Sequence, residues 1–198
     1  MVSIGNDDEA GEPVADRILD AAASCVLAFG VDRVTLAEIA RRAGVSRPTV
    51  YRRFPDTPTI LAALLTARIV GVLDTIESRG TGRVTLVDRI VTAAGRLRQD
   101  EVIMAVLHTA PELAMVYIAE RLGTSQQILI DALAGQLKLA QDVSVDDRVR
   151  AGDPRQLATM CLLITQSAIQ SAQMVESILD SEALATELAH ALNGYLAP

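Results

Sequence analysis

Apolar residues recur every three or four positions along most of the chain, which is the spacing of helices with one buried face. Alternating runs of strand length, bounded by turn residues, are absent. The sequence therefore predicts an all-α fold. The expected helices span 13–29, 35–43, 46–54, 58–78, 85–98, 101–108, 111–122, 125–141, 154–179 and 181–193, with a loop at 141–147.

Residues 35–54 contain two short helices joined at Gly44. Thr35 followed by Glu38 predicts a capping box that opens the first helix, and Gly44 supplies the positive φ that ends it. Ser46 is expected to cap the second helix, with Pro48 in its first turn, where a missing N–H is harmless. The expected buried sides are Leu36, Ile39, Ala40 and Ala43 in the first helix, and Val50 and Phe54 in the second. This pattern indicates a helix-turn-helix, whose second helix suits the major groove of DNA.

The charge distribution favours DNA binding at one local surface. The chain has 25 acidic and 18 basic residues, a net charge of −7, whereas proteins that coat nucleic acid indiscriminately are basic overall. Yet the segment 41–53 holds no carboxylate, and five polar side chains of its second helix should face outward. They are Arg47, Thr49, Tyr51, Arg52 and Arg53. A solvated helix face is the alternative interpretation of the arginines alone.

The segment from Ala15 to about Leu64 resembles the DNA-binding domain of the TetR family of bacterial transcriptional repressors. The matching motifs are Ala28-Phe29-Gly30, then Thr35 through Ser46, then Thr49-Val50-Tyr51-Arg52-Arg53-Phe54. The rest of the chain matches the family in length and helical character. The resemblance implies an N-terminal three-helix domain with the helix-turn-helix at 13–56. It also implies a C-terminal helical ligand-binding and dimerisation domain at 57–198, and we expect 1–12 to be a disordered lead-in.

Chemistry and the family motif together assign roles on a double-stranded DNA operator. Base reading is expected from Arg47, Pro48 and Arg52, since arginine donates in a bidentate manner to guanine and an apolar surface suits a thymine methyl. Phosphate contacts are expected from Thr35, Thr49, Tyr51 and Arg53. Arg41 and Arg42 are expected to be solvated or to contribute long-range positive field. The family commonly has a phosphate-binding lysine at the position of Thr57, so its replacement here predicts weaker affinity without a change in binding mode.

The helix after Pro154 predicts a homodimer. Residues from Leu157 to Val175 carry no charge but include many polar side chains, too polar for a membrane span and too uncharged for a helix with one wet face. Such a helix is covered on two sides, and a second copy of itself would give a twofold interface, as in the family. The expected interface residues are Ala158, Leu162, Thr165, Ile169 and Ala172.

The resemblance further implies that the second half surrounds an effector pocket and that the effector releases DNA. The candidate lining residues are Met104, His108, Met115, Tyr117 and Ile118, with ordinary core packing as the alternative for each. Few charges line this half, so we expect a small, hydrophobic effector. The function predicted is a ligand-responsive repressor that binds a palindromic operator; the alternative is a constitutive regulator, or an activator, without an effector.

The remaining sequence signals narrow the class of protein. Two histidines and no metal-ligand, phosphate-loop or nucleophile motif argue against an enzyme, and no cofactor or metal is expected. A protein–protein adaptor that inherits the motif is disfavoured because Tyr51 and the arginines are all present. Cys25 and Cys161 are expected to be small buried hydrophobes rather than a disulfide or redox pair. The acidic N-terminus lacks the apolar core of a signal peptide, so a cytoplasmic protein without membrane contact is expected.

Overall fold

A computed structural model describes residues 11–77, 80–109, 123–142 and 147–198. The helices are α1 (Gly11–Phe29), α2 (Leu36–Ala43), α3 (Arg47–Arg53), α4 (Thr57–Asp74), α5 (Arg83–Gln99), α6 (Glu101–Thr109), α7 (Thr124–Gln141), α8 (Pro154–Val175) and α9 (Ser181–Leu196), with a 3₁₀ turn at Val31–Arg33. Every element within these ranges is helical, so the predicted all-α fold is confirmed. Helix α1 begins inside the predicted lead-in. The predicted helix at 111–122 and most of the predicted loop lie outside the described residues.

The chain forms two compact units that differ from a simple division at residue 56. The first lies within Met1–Arg68 and Glu101–Arg121, and the second within Ile69–Asp100 and Leu122–Pro198. Helix α6 thus belongs with the helix-turn-helix, although α5 separates the two in sequence. These units are defined by packing, so the assignment of 57–198 to ligand binding and dimerisation stays a prediction.

The core of the first unit is formed where α1 meets α2 and α6. Ile18 and Ile39 are fully buried there, as is Cys25. Helix α6 packs on α1 and on the 3₁₀ turn, and it contributes Val102 and Val106, both almost completely buried. The predicted buried side of α2 is confirmed, because all four of its predicted apolar residues are buried.

The ends of two helices in the first unit are less buried than the sequence pattern predicts. Phe29, which the helical spacing of α1 places on the predicted buried side, is 41% exposed, and the Arg42 guanidinium lies 4.7 Å from the centroid of its ring. Val50 of α3 is fully buried as predicted, whereas Phe54 follows the last helical residue and is half-buried.

The second unit packs α5, α7, α8 and α9 around one apolar cluster. Leu137, Cys161 and Leu192 are completely buried within it. Carboxylates cap three of its helices. Asp180 accepts from the N–H of Ala183 at 2.8 Å and caps α9, and Asp153 accepts from the N–H of Gln156 at 2.9 Å and caps α8. Asp147 accepts from the N–H of Val84 at 3.0 Å, which caps α5 where the preceding residue, a glycine, has no side chain to do so.

The face of α8 that lies against its own unit is the one predicted to meet a second copy. Ala158, Thr165 and Ala172 are at most 8% exposed, and Leu162 and Ile169 pack against the same core. Leu162 and Ile169 are half-buried, so part of each side chain stays accessible, and the predicted interface remains a prediction. The opposite face of α8 is exposed at Met160, Leu163, Ser167 and Met174.

Helix α4 is the one described helix that is long and apolar enough to cross a membrane by length and composition. Buried helices of proteins that never enter a membrane meet the same criterion. Its first half supplies Ile60, Leu61, Leu64 and Leu65 to the protein interior.

Candidate nucleic-acid interface

Helix α2 begins at a side-chain cap and ends at a left-handed glycine. The Thr35 hydroxyl oxygen accepts from the N–H of Glu38 at 3.2 Å, as predicted. Gly44 has φ 63° and ψ 35°, and the N–H of Val45 reaches back to the carbonyl of Ala40 at 3.1 Å. This is a Schellman ending, which turns the chain sharply toward α3.

Helix α3 is fixed at its start by Ser46 and in its middle by Val50. The Ser46 hydroxyl accepts from the N–H of Thr49 at 3.3 Å and lies 2.8 Å from the Thr49 hydroxyl. Val50 is the one completely buried residue of the helix. At about 100° per residue, Pro48 and Arg52 lie roughly 160° from Val50 and face directly away from the core. The geometry therefore presents them outward along most of the helix's length.

The outer surface of α3 carries unpaired positive charge. Its arginines are all exposed, and Tyr51 is 53% exposed. None of Arg47, Arg52 and Arg53 forms an ion pair with a residue in the described ranges. We call the surface formed by Arg47, Pro48, Tyr51, Arg52 and Arg53 the α3 face.

The two arginines of α2 differ from those of α3, because Glu38 holds both. Its carboxylate accepts from Arg41 at 2.6 and 2.8 Å and from Arg42 at 2.9 Å. These hydrogen bonds, with Arg41 the larger contributor, lower the pKa of Glu38 from 4.5 to about 2. Glu38 is thus engaged with the arginines rather than completing the predicted capping box. The single carboxylate offsets one of the two positive charges, so α2 contributes less positive charge to this surface than its two arginines alone would.

The comparisons with known proteins agree with this geometry. Residues 18–64 match the model of bacterial regulatory proteins of the tetR family. The HTH-type transcriptional regulator Mb2274c of Mycobacterium bovis is 62% identical over 198 residues, covering 99% of this chain and all of that one. This chain belongs to the TetR family. It is a DNA-binding transcriptional regulator and not an enzyme.

Solved structures share the fold of this TetR-family regulator at low sequence identity. The SmeT–triclosan complex has a TM-score of 0.62 at 21% identity, covering 93% of this chain and 92% of that one. FadR from Bacillus subtilis, in complex with stearoyl-CoA, has a TM-score of 0.62 at 21% identity, covering 89% and 96%. At this identity the likeness establishes the fold alone.

The other predicted DNA-contacting residues have hydroxyls that are placed at helix starts. Thr35 is exposed, and a hydroxyl has two lone pairs and one proton, so it can cap α2 and still donate to a phosphate. Thr57 is half-buried at the first position of α4. That helix is capped by Asp56, whose carboxylate accepts from the N–H of Thr59 at 2.8 Å and from its hydroxyl at 2.6 Å. These hydrogen bonds lower the pKa of Asp56, and its fixed negative charge lies beside the position where the family commonly has lysine.

The predicted effector residues are only partly described by the structure. Met104 is half-buried on α6 and His108 is exposed near its end. Met115, Tyr117 and Ile118 lie outside the described residues. Among the described residues, no group of three or more histidine, cysteine or acidic side chains is placed to hold a metal ion.

Both cysteines are free and buried, which confirms the interpretation of each as a small core residue. Burial raises the pKa of the Cys161 thiol to about 11 and also raises that of Cys25. A thiol with a raised pKa holds little thiolate at neutral pH and reacts slowly.

Two residues of this interface were missed by the sequence analysis. Arg17 of α1 donates to the carbonyl of Ala43 at 2.6 Å and to that of Gly44 at 3.2 Å. No local signal predicts these contacts, because they join residues 26 and 27 positions apart. The second is Glu38 as a partner of arginines, for which the three- and four-residue spacing was an available signal.

Proposed function

We propose that this regulator is a repressor that binds a palindromic operator as a homodimer and is released by a small hydrophobic effector. The observation that carries the proposal is the α3 face: three exposed arginines that form no ion pair within the described ranges, on a helix whose middle is held in the core by Val50. Family membership supplies DNA binding itself, and the face supports the manner of binding. Arg47, Pro48 and Arg52 are proposed to contact bases, and Thr35, Thr49, Tyr51 and Arg53 to contact phosphates.

The first test is selection of bound sequences from a random duplex pool with the purified protein at moderate salt. A twofold dimer presents two recognition helices, so we expect a palindromic motif whose half-sites are about one helical turn apart. A motif without twofold symmetry would contradict the dimeric arrangement. Absence of any motif would contradict sequence-specific binding by the protein as purified.

The selected duplex then tests the roles of individual side chains. Arg47→Ala should cost on the order of 1–3 kcal/mol and relax preference at one base position. Tyr51→Phe should weaken all sequences alike, because a phosphate contact carries no base information. Unchanged affinity and base preference in Arg47→Ala would remove Arg47 from the base-reading set.

The homodimer is supported by the exposed apolar face of α8. Met160 is 41% exposed, Leu163 is 48% exposed and Met174 is 79% exposed. With exposed Ser167 between them, these residues are spaced by three, four and seven positions, which follows one side of a helix. Apolar side chains that recur along one face and remain in water are typical of a surface covered by a partner. A second copy would place the same face against itself about a twofold axis.

The effector is proposed to be hydrophobic by analogy with two structural neighbours. SmeT is seen with triclosan and FadR with stearoyl-CoA; triclosan and the stearoyl chain are apolar, whereas the CoA moiety is polar and charged. Met104 and His108, with Met115, Tyr117 and Ile118, stay as proposed lining residues. The test measures release of the selected duplex by fluorescence anisotropy, with triclosan and a series of acyl-CoAs as probes. Release by an apolar probe would support the proposal. If no probe changes the affinity for the selected duplex, the result would favour a constitutive regulator.

A further inference from the structure

Arg17 joins helix α1 to the turn of the helix-turn-helix. Its Nη2 atom lies 2.6 Å from the carbonyl oxygen of Ala43 and 3.2 Å from that of Gly44. The carbonyls at a helix C-terminus have no partner within the helix and carry its partial negative charge, which a cation stabilises. A single guanidinium therefore holds the end of α2 and the glycine that begins the turn.

The position of this contact determines what it can control. Gly44 is followed by Val45 and Ser46, and Arg47 is the first residue of α3. Any tilt of the turn relative to α1 is passed to the start of α3 within three residues. The side chain of Val50 seats the middle of α3, but a single buried residue leaves rotation about that point open. Arg17 supplies a second point of fixation, at the other side of the turn.

The surroundings of Arg17 separate this role from core packing. The side chain is exposed and borders an open groove of about 380 Å³. The groove is lined by Arg17, Asp20, Ala21, Ser24, Arg42 and Ala43. Shortening Arg17 removes no buried apolar contact from the core, so its variants should fold. A Cβ on Gly44 would lie 3.2 Å from the same guanidinium nitrogen, so the guanidinium lies directly against the turn.

We propose that Arg17 is a positioning residue for DNA recognition, which sets the orientation of α3 by holding the carbonyls of Ala43 and Gly44. It acts through the turn and not by contact with DNA. The proposal rests on operator binding through the α3 face, and it adds a residue of α1 to the determinants of affinity.

The test compares Arg17→Gln with Arg17→Lys and with Arg148→Gln, an equal charge change in an exposed side chain of the second unit. Affinity for the operator selected by the wild-type protein is measured between 50 and 200 mM salt. We expect the operator affinity of Arg17→Gln to be about tenfold lower than that of the wild-type protein, which corresponds to 1.4 kcal/mol. The slope of log affinity against log salt should stay unchanged, because no phosphate contact is removed. Arg17→Lys keeps the positive charge and an ammonium donor group, so it should lose less operator affinity than Arg17→Gln does.

Two outcomes would overturn the proposal. A salt slope that falls by about 1 in Arg17→Gln would make Arg17 a phosphate contact instead. Affinity within twofold of that of Arg148→Gln would make its role structural only.

A second measurement does not depend on an operator. Amide hydrogen exchange in the free protein should become faster in the segment 43–50 of Arg17→Gln and stay unchanged in Arg148→Gln. Unchanged exchange in that segment would overturn the positioning role. This measurement stays decisive if the wild-type protein selects no operator, because that result would contradict the proposed function alone.

Discussion

Glu38 limits the positive charge that this regulator presents to DNA. Its carboxylate offsets one of the two positive charges of Arg41 and Arg42, while the described part of the chain offers no such partner to the arginines of the α3 face. Glu38→Gln removes the negative charge and keeps a side chain of nearly the same shape. We expect this variant to bind duplex DNA of any sequence more tightly than the wild-type protein does. Discrimination between the operator and other sequences should fall accordingly.

The magnitude follows from counterion release. The side chain of Arg41 is 69% exposed, so it is free to reorient once Glu38 no longer holds it. Each phosphate neutralised steepens the slope of log affinity against log salt by about 0.9, which makes the affinity fall about 3.5-fold more between 50 and 200 mM salt. Arg42 also stacks on Phe29 and should stay in place, so we expect a change for one arginine rather than two.

The assay is fluorescence anisotropy with a labelled mixed-sequence duplex over that salt range, and it requires no knowledge of the operator. Glu182→Gln, an exposed carboxylate of the second unit, is the matched control for net charge. A slope equal to that of the control would refute the reasoning that Glu38 withholds Arg41 from DNA. Because the pKa of Glu38 is lowered to about 2, its ion pairs contribute above pH 4.5 and are lost as the pH falls toward 2. The wild-type slope should therefore be equal at pH 6 and pH 8.

Four further predictions concern recognition, assembly and the core. Arg52→Ala should cost on the order of 1–3 kcal/mol in operator affinity and relax preference at one base position, as measured by repeating the duplex selection; an unchanged motif would remove Arg52 from the base-reading set. Leu163→Glu should shift the sedimentation of the protein toward the monomer, whereas Leu139→Glu, a leucine 55% exposed on α7, should not; equal behaviour would place the interface elsewhere. Val50→Ala removes two buried methyl groups and should lower the free energy of unfolding by about 2 kcal/mol, as measured by chemical unfolding. A loss below about 0.5 kcal/mol would contradict the role of Val50 in holding α3 against the core. Cys161, with its pKa raised to about 11, should react with a thiol reagent only after unfolding, and rapid reaction in the native state would contradict its burial.

Interactions between near neighbours in sequence were the ones the sequence could predict. Thr35 and Ser46 each accept a hydrogen bond from an amide three residues on, so residue type and spacing were sufficient. The same holds for the left-handed Gly44. Asp153 caps α8 in the same way, by accepting from the N–H of Gln156 three residues on.

Contacts between distant segments had no such signal. The hydrogen bonds of Arg17 and the cap that Asp147 provides for α5 depend on how the helices pack, and neither residue type nor spacing specifies the partner. The side of α8 that stays exposed could not be predicted for a different physical reason. Apolar and small residues occur on both sides of that helix, so periodicity identifies two possible faces. Only packing against the rest of the unit decides whether the face with Thr165 or the face with Leu163 is buried.

The membership of α6 in the first unit has a consequence for modularity. The recognition motif ends before residue 60, yet α1 is covered by Val102 and Val106 from a segment more than 40 positions later. The packed unit that holds the motif is therefore not one contiguous segment of the chain. A fragment cut after α4 would expose the apolar side of α1 to water, and a chimera that exchanges only the N-terminal segment would pair a foreign α1 with the resident α6. Evolution or engineering of new operator specificity on this scaffold is consequently easier by substitution on the α3 face than by exchange of whole domains.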